Sequence, residues 1–175
     1  MNGIGASPGI VIGRAYLLDR RKVVVAEQQR VSDAPPKDEI ARFRRAIESA
    51  KAQLEDIRKR VTRDLGKAHR NILDMHILLL EDKMLVDGTI RRIKEENLRA
   101  EAALKEAIVA IGVKFDAIED EYLRERKHDV EQVAERVLRN LVGKKQESLA
   151  DIREEAIVIA HDLAPSDTLL MRKDK

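Results

Sequence analysis

Histidines are the residues of this chain best suited to binding metal or transferring a proton or phosphoryl group, and there are four of them. His69 and His76 are seven residues apart, so they fall on one face of a predicted helix. Ile72 and Leu73 lie between them on that face, and neither side chain can ligate a metal. A zinc site is therefore not expected at this pair.

Glu125 and His128 show the Glu-x-x-His spacing of di-iron helical bundles. Such a centre needs a second motif of the same kind and two further inward glutamates, and the sequence contains no second motif. Glu125 is therefore predicted to lie on a solvated face. His128 and His161 have no partner that the sequence identifies, and no serine is placed for a catalytic triad. The residue types alone predict helices that bind something, with no chemistry and no metal site of their own.

Composition argues against several classes of function. Aromatic residues make up only 2% of the chain, which disfavours modules that stack nucleic-acid bases. The 34 basic and 32 acidic residues are interleaved, so no one-signed stripe for nucleic acid is expected. The sequence has no cysteine, no signal segment and no apolar run approaching the roughly 18 residues of a membrane span. We expect a cytoplasmic protein with an aliphatic core.

The glycine-rich residues 3–9 lead into a β-like run. Phosphate loops lead instead from a strand into a helix N-terminus, so no phosphate loop is expected here. We predict a strand over residues 10–18, with a bulge or close approach at Gly13, and a second short strand over residues 23–26.

The middle of the chain is predicted to be an antiparallel helical bundle. A heptad stripe predicts a first helix of about 30 residues, roughly 45 Å long, that ends at Gly66. The stripe consists of Ile40, Phe43, Ile47, Ala50, Leu54, Ile57 and Val61. In a later helix, Gly112 suggests a close crossing with another helix. The later helices are predicted over residues 68–81, 84–96, 99–116 and 122–142, with breaks at Asp82, Asn97 and Gly143.

After the bundle the pattern becomes β-like again. A short apolar run over residues 156–160 predicts a buried strand, and Pro165 begins another helix. Strands on both sides of a helical block predict a mostly helical α+β fold, in which the bundle is inserted into an incomplete α/β subdomain. The predicted division assigns residues 1–31 and 146–175 to the α/β part and residues 32–145 to the helical part.

Two segments leave a choice open. Residues 72–85 are apolar almost all round, so this helix is either enclosed in the core or partly exposed to a partner. Residues 118–126 combine acidic residues with Tyr122, Leu123 and Arg126. That combination suits an interface, and it suits equally a helix start whose acids favour the dipole.

Five motifs occur in a recognisable order: GIGASPGIVIGRA at residues 3–15, His76-Ile-Leu-Leu-Leu-Glu-Asp82, Asp120-Glu-Tyr-Leu-Arg-Glu-Arg126, Leu138-Arg-Asn-Leu-Val-Gly143 and Asp162-Leu-Ala-Pro-Ser-Asp167. In order and spacing the chain resembles the N-terminal region of the enzyme I family of the bacterial phosphoenolpyruvate:sugar phosphotransferase system. The resemblance extends over essentially the whole chain.

The resemblance implies that an α/β subdomain carries a histidine phosphorylated from phosphoenolpyruvate. It also implies that the helical subdomain binds HPr, the phosphocarrier protein that receives the phosphoryl group. In the family that histidine lies in a Gly-Gly-x-Thr-Ser-His motif, which no histidine of this chain matches. We therefore expect the phosphorylated histidine beyond Lys175, and we expect this chain by itself to bind HPr without transferring phosphate.

For the full-length protein, the resemblance implies a phosphoenolpyruvate-protein phosphotransferase that serves sugar uptake. Its C-terminal part would bind phosphoenolpyruvate and Mg²⁺ and would form the homodimer. This chain would be a monomer with no cofactor of its own, and its partners would be HPr and that C-terminal part, with no nucleic acid and no membrane. Two alternatives stay open: an enzyme I-like segment of a nitrogen-related or multidomain phosphoryl-transfer protein, and a non-enzymatic helical adaptor.

Matched residue by residue, the resemblance implies a docking surface with a small apolar centre and a charged rim. Ile72, Leu73 and Leu80 are expected to point inward. Lys67, Ala68 and Met84 stand where the family often has acidic residues, so we expect weaker binding with less dependence on salt. The implied surface consists of His76, Leu79, Asp82, Leu85, Leu123, Glu125 and Arg126, with Lys67 and Ala68 beside it.

Overall fold

The computed structural model describes residues 7–18, 23, 31–60, 66–144, 149, 152, 154–160, 163–169 and 171, without the side chains of 66–70 and 121–125. In the described part of the chain, one strand precedes five long helices, a second strand follows them, and a short helix comes last. The elements are β1 (Arg14–Leu18), α1 (Pro36–Arg60), α2 (Gly66–Leu80), α3 (Lys83–Glu96), α4 (Ala100–Asp116), α5 (Glu121–Leu141), β2 (Ala156–Ala160) and α6 (Pro165–Thr168). The predicted mostly helical α+β fold is confirmed.

The helical bundle is built around an aliphatic core. The heptad stripe of α1 faces inward, with Phe43, Ala50 and Leu54 at most 1% exposed, while Val61 lies outside the described residues. Helix α1 packs on α2 and α5, and α4 packs on α3 and α5. The other large side chains that are fully buried are Leu73, Leu80, Leu85, Ile93, Leu104, Val133 and Val137.

The helix ends follow local chemistry. Asp82 has extended backbone and accepts a hydrogen bond from the Met84 amide at 2.8 Å, so it caps α3. Asn97 (φ 50°) and Gly143 (φ 69°) adopt the left-handed conformation that ends a helix, as predicted. The prediction that Gly66 ends the first helix is wrong, because Gly66 is itself helical and belongs to α2; residues 61–65 lie outside the described residues.

Gly112 marks a close approach between α4 and α5. A Cβ atom at this position would lie 3.1 Å from Cε of Lys127, which crosses the glycine and forms an ion pair with Asp116 at 2.7 Å. The group that approaches Gly112 is therefore a lysine side chain, and a close crossing of the helices themselves stays a prediction.

The two strands pair in parallel, with Arg14 opposite Ala156 and Leu18 opposite Ala160. A parallel pair requires a crossover connection, and here the whole bundle lies within it. The predicted strand begins too early, because β2 starts opposite Arg14 and offers no partner to earlier residues; Ile10, Val11 and Ile12 are highly exposed. Of the predicted strand over residues 23–26, only Val23 lies within the described residues.

Every helix in the described part of the chain is too short or too polar to cross a lipid bilayer. Among the same residues, no group of three or more histidine, aspartate or glutamate side chains is arranged to hold a metal ion.

Candidate docking site

Helix α2 has two apolar faces, one buried and one open to solvent. Leu73, Ile77 and Leu80 are at most 9% exposed and face the core. On the opposite side, at 3.6 residues per turn, Leu78 is 66% exposed and its neighbours are partly exposed. The outer face of α2 consists of Asn71, Ile72, Met75, Leu78 and Leu79.

His76 belongs to the buried face. It lies three residues after Leu73 and four before Leu80, so the helical repeat turns it toward the core, and its side chain is 3% exposed. Leu85, one turn into α3, is 2% exposed and packs in the same core. The prediction that His76 and Leu85 face a partner is therefore wrong for both residues.

The surroundings of His76 favour its neutral form. Its Nε2 atom lies 3.6 Å from Oδ1 of Asp129, which is too long for a hydrogen bond, and it has no hydrogen-bond partner among the described residues. Burial lowers the pKa of His76 below its ordinary value of 6.5; Asp129 opposes that shift and the positive charge of Arg136 adds to it.

An open groove of about 680 Å³ lies beside the outer face of α2. We name it the α2–α5 groove. The guanidinium of Arg126 contacts the sulfur of Met75, so it joins the two helices at the groove. The lining residues are Asn71, Ile72 and Met75 from α2, Arg126, His128 and Asp129 from α5, and Pro165 from α6.

The remaining predicted site residues fall into two groups. Leu79 is partly buried against the core, Asp82 is exposed at the junction of α2 and α3, and Arg126 is partly exposed at the groove. Lys67 and Ala68 lie in the first turn of α2, and Leu123 and Glu125 lie in the first two turns of α5, but their side chains lie outside the described residues.

The structure adds two apolar residues that the sequence did not single out, Met75 and Leu78, and it corrects a third: Ile72 was expected to point inward, but it is partly exposed and lines the groove. Helical spacing could have shown that these three residues lie on the side opposite Leu73, Ile77 and Leu80, but not which of the two apolar sides is buried. Met84, the second residue of α3, is 44% exposed and is a further open apolar side chain close in sequence to the end of α2.

The fold recurs in solved structures. A solution NMR structure of an Enzyme I protein, nEIt, matches with a TM-score of 0.79 and 37% identity, over 96% of this chain and 67% of that one. The N-terminal domain of a nitrogen Enzyme 1 matches with a TM-score of 0.66 over 97% of this chain and 68% of that one; its 24% identity shows likeness of fold alone.

The sequence also matches curated relatives. Proteins named phosphoenolpyruvate-protein phosphotransferase are 35% identical over 99% of this chain in Bacillus subtilis and 34% identical over its full length in Haemophilus influenzae. The chain spans about 30% of the length of these relatives. Residues 2–126 match the model of the family described as PEP-utilising enzyme, N-terminal. The chain therefore belongs to the N-terminal family of the phosphoenolpyruvate-utilising enzymes.

Proposed function

We propose that this chain is the part of a phosphoenolpyruvate-protein phosphotransferase, enzyme I, that docks the phosphocarrier protein HPr. Family membership and the names of the relatives support the assignment to enzyme I. Two observations support docking: the resemblance implies that the helical part binds HPr, and α2 presents an apolar surface in that part.

The outer face of α2 carries the proposal. Monomeric proteins bury the apolar face of an amphipathic helix, and an apolar surface left open marks a contact site. Leu78 is 66% and Met84 44% exposed, and Ile72 and Met75 continue the surface into the α2–α5 groove. Asp82 and Arg126 supply one charge of each sign at its margin, which suits orientation of a partner more than tight binding.

Phosphoryl transfer itself is proposed to lie outside these residues. No histidine of the chain is in the family's Gly-Gly-x-Thr-Ser-His motif. His76 is 3% exposed, so its Nε2 atom cannot align with a phosphorus atom for in-line attack without opening α2 from α5. The sites for phosphoenolpyruvate and Mg²⁺ would belong to other parts of the full-length enzyme.

The proposal is tested by the affinity of the chain for HPr, measured by calorimetry, for a matched pair of variants. Leu78→Asp places a charge in the proposed contact, and we expect it to weaken binding more than about tenfold, because a buried unpaired carboxylate costs several kcal/mol. Val142→Asp is the control, because Val142 is 39% exposed at the far end of α5.

If both substitutions weaken HPr binding equally, or if neither weakens it, the outer face of α2 is not the contact. Circular dichroism on each variant establishes that the helices are intact before affinities are compared. A parallel titration with the HPr-like carrier of the nitrogen branch decides between the two branches of the family.

A further inference from the structure

Helix α6 forms one wall of the α2–α5 groove but has little structure of its own. It is four residues long, from Pro165 to Thr168, and Pro165 lines the groove opposite Ile72 and Met75. Its turn is closed by Asp167, whose Oδ2 atom accepts a hydrogen bond from the Ala164 amide at 2.9 Å. A single turn is not stable by itself, so contacts with the bundle must set where α6 lies.

The side chain of Ser166 takes no part in that turn and faces α5 instead. It is 1% exposed, and its Oγ atom accepts a hydrogen bond from Nη2 of Arg136 at 3.0 Å. Leu169, the residue after α6, is 7% exposed and belongs to the bundle core. The Ser166 hydrogen bond and the packing of Leu169 are thus a polar and an apolar contact between this segment and the helices.

Arg136 is held from a second direction. Its side chain is 6% exposed, and Nη1 donates to Oε1 of Gln53 on α1 at 3.4 Å. Nε2 of Gln53 donates in turn to Oδ1 of Asn140 on α5 at 2.9 Å. The hydrogen bonds run from α1 through α5 to α6, so the guanidinium has a fixed place between the elements.

The geometry points to Arg136 as a positioning residue for the α2–α5 groove: by holding Ser166 it fixes Pro165 at a set distance from α2. The planar guanidinium donates in two directions at once, to Gln53 and to Ser166, and a lysine ammonium on a flexible stem does not reproduce that fork. Arg136 does not line the groove, so it would act on a bound partner through α6. The effect on HPr rests on the proposed function, whereas the effect on α6 does not.

The test compares Arg136→Lys and Ser166→Ala with the wild-type chain. Arg91→Gln is the control, because Arg91 is an exposed arginine on α3. Amide hydrogen exchange is measured at Asp167 and Leu169, whose amides donate to Ala164 and Pro165 within the turn. We expect amide exchange at these two residues to be about tenfold faster in both variants, because a hydrogen bond from a charged donor is lost. Amide exchange in α3 should be unchanged.

The second readout is HPr affinity at a temperature at which all variants are folded by circular dichroism. We expect HPr affinity to fall by about threefold or more in both variants and to stay unchanged in Arg91→Gln. A residue that only stabilises the fold would lower Tm and leave the affinity of the folded chain unchanged. Wild-type exchange at Asp167 and Leu169 in both variants would overturn the inference. So would unchanged HPr affinity in both when the wild-type chain binds. If the wild-type chain does not bind HPr, the proposed function fails, and the exchange rates still decide the positioning of α6.

Discussion

At the scale of single residues, the imidazole of His76 lies between α2 and α5, with Asp129 at 3.6 Å and 3% of the side chain exposed. This histidine is the one that the sequence and the resemblance both bring forward, and the structure gives it a packing role. Its neutral ring fills the core beside Leu73 and Leu80, and its charge state is tied to folding.

The stability of the chain should therefore depend on pH through His76. Its pKa is lowered in the folded chain, so on acidification the unfolded chain takes up a proton near pH 6.5 before the folded chain does. This contribution to stability is complete above pH 6.5 and is lost as the pH falls below that value. Asp129 and Arg136 on α5 face the ring, so both remain unchanged in the comparison. Urea unfolding between pH 7.5 and 5.5 should show a decline that is smaller in His76→Gln, and an identical decline in both proteins would contradict this account.

Substitutions at Leu85 and Leu78 should distinguish a residue that stabilises the fold from one that is available to contact a partner. Leu85 is 2% exposed, so Leu85→Ala leaves a cavity and should lower the free energy of unfolding by about 2–5 kcal/mol. Leu78 is 66% exposed, so Leu78→Ala should change it by no more than roughly 0.5 kcal/mol. Chemical denaturation of the two variants measures both values. A loss of several kcal/mol for Leu78→Ala would mean that Leu78 is buried and that α2 is rotated from the orientation described.

The sequence could not assign these residues to faces, for a physical reason. Hydrophobic periodicity shows which face of a helix is buried when the other face is polar, but residues 72–80 are apolar on both sides. The rotation of α2 is settled by its packing on α1 and α5, through contacts between residues far apart in the chain. Leu73 and Leu80 were correctly predicted to point inward, whereas His76 was placed on the wrong side because the residue-by-residue resemblance implied a docking role for it.

At the scale of the elements, Asp82 has two functions to distinguish. Its carboxylate caps α3 by accepting from the Met84 amide, and it is also a proposed rim residue of the docking surface. Asp82→Ala should lower the free energy of unfolding by about 1 kcal/mol, because the cap is lost. Asp82→Asn keeps a capping oxygen and removes the charge, so it should leave stability nearly unchanged and slow HPr association. If Asp82→Asn destabilises the chain as much as Asp82→Ala, the cap is not the source of the effect.

Helix and strand boundaries were predictable where local chemistry decides them. Asn97 and Gly143 end helices because they tolerate the left-handed conformation, and both are visible in the sequence. The start of β1 was not predictable, since it depends on where its partner strand β2 begins, and β2 comes after the bundle in the chain. Gly66 was misassigned because glycine is common after a helix and also tolerated at a helix start.

At the scale of the whole molecule, β1 and β2 pair in parallel although the bundle lies between them in the chain. The β-like runs at both ends of the sequence predicted strands on both sides of an inserted bundle, but not their direct parallel pairing. The α2–α5 groove was not predictable, because its walls come from residues 71–75, 126–129 and 165, and only the folded chain brings them together. The division into subdomains at residues 31 and 145 stays a prediction.

The charge balance of the molecule leads to a prediction about salt. The chain has a net charge of +2, and the resemblance implies acidic residues at the positions of Lys67, Ala68 and Met84. With few acids to attract a basic carrier surface, the HPr dissociation constant should change by less than roughly threefold between about 0.05 and 0.5 M NaCl. Calorimetric titrations at the two salt concentrations measure this, and a steep loss of affinity with salt would show that charge attraction dominates.

The central claim is that the outer face of α2 docks HPr. It is tested most directly by titrating isotope-labelled HPr with this chain and following the HPr amide resonances at high protein concentration. We predict progressive shifts around the phosphorylatable histidine of HPr, in fast exchange as expected of a weak and short-lived complex, and much smaller shifts with the Leu78→Asp variant. Unchanged HPr resonances in the presence of excess wild-type chain would contradict the claim.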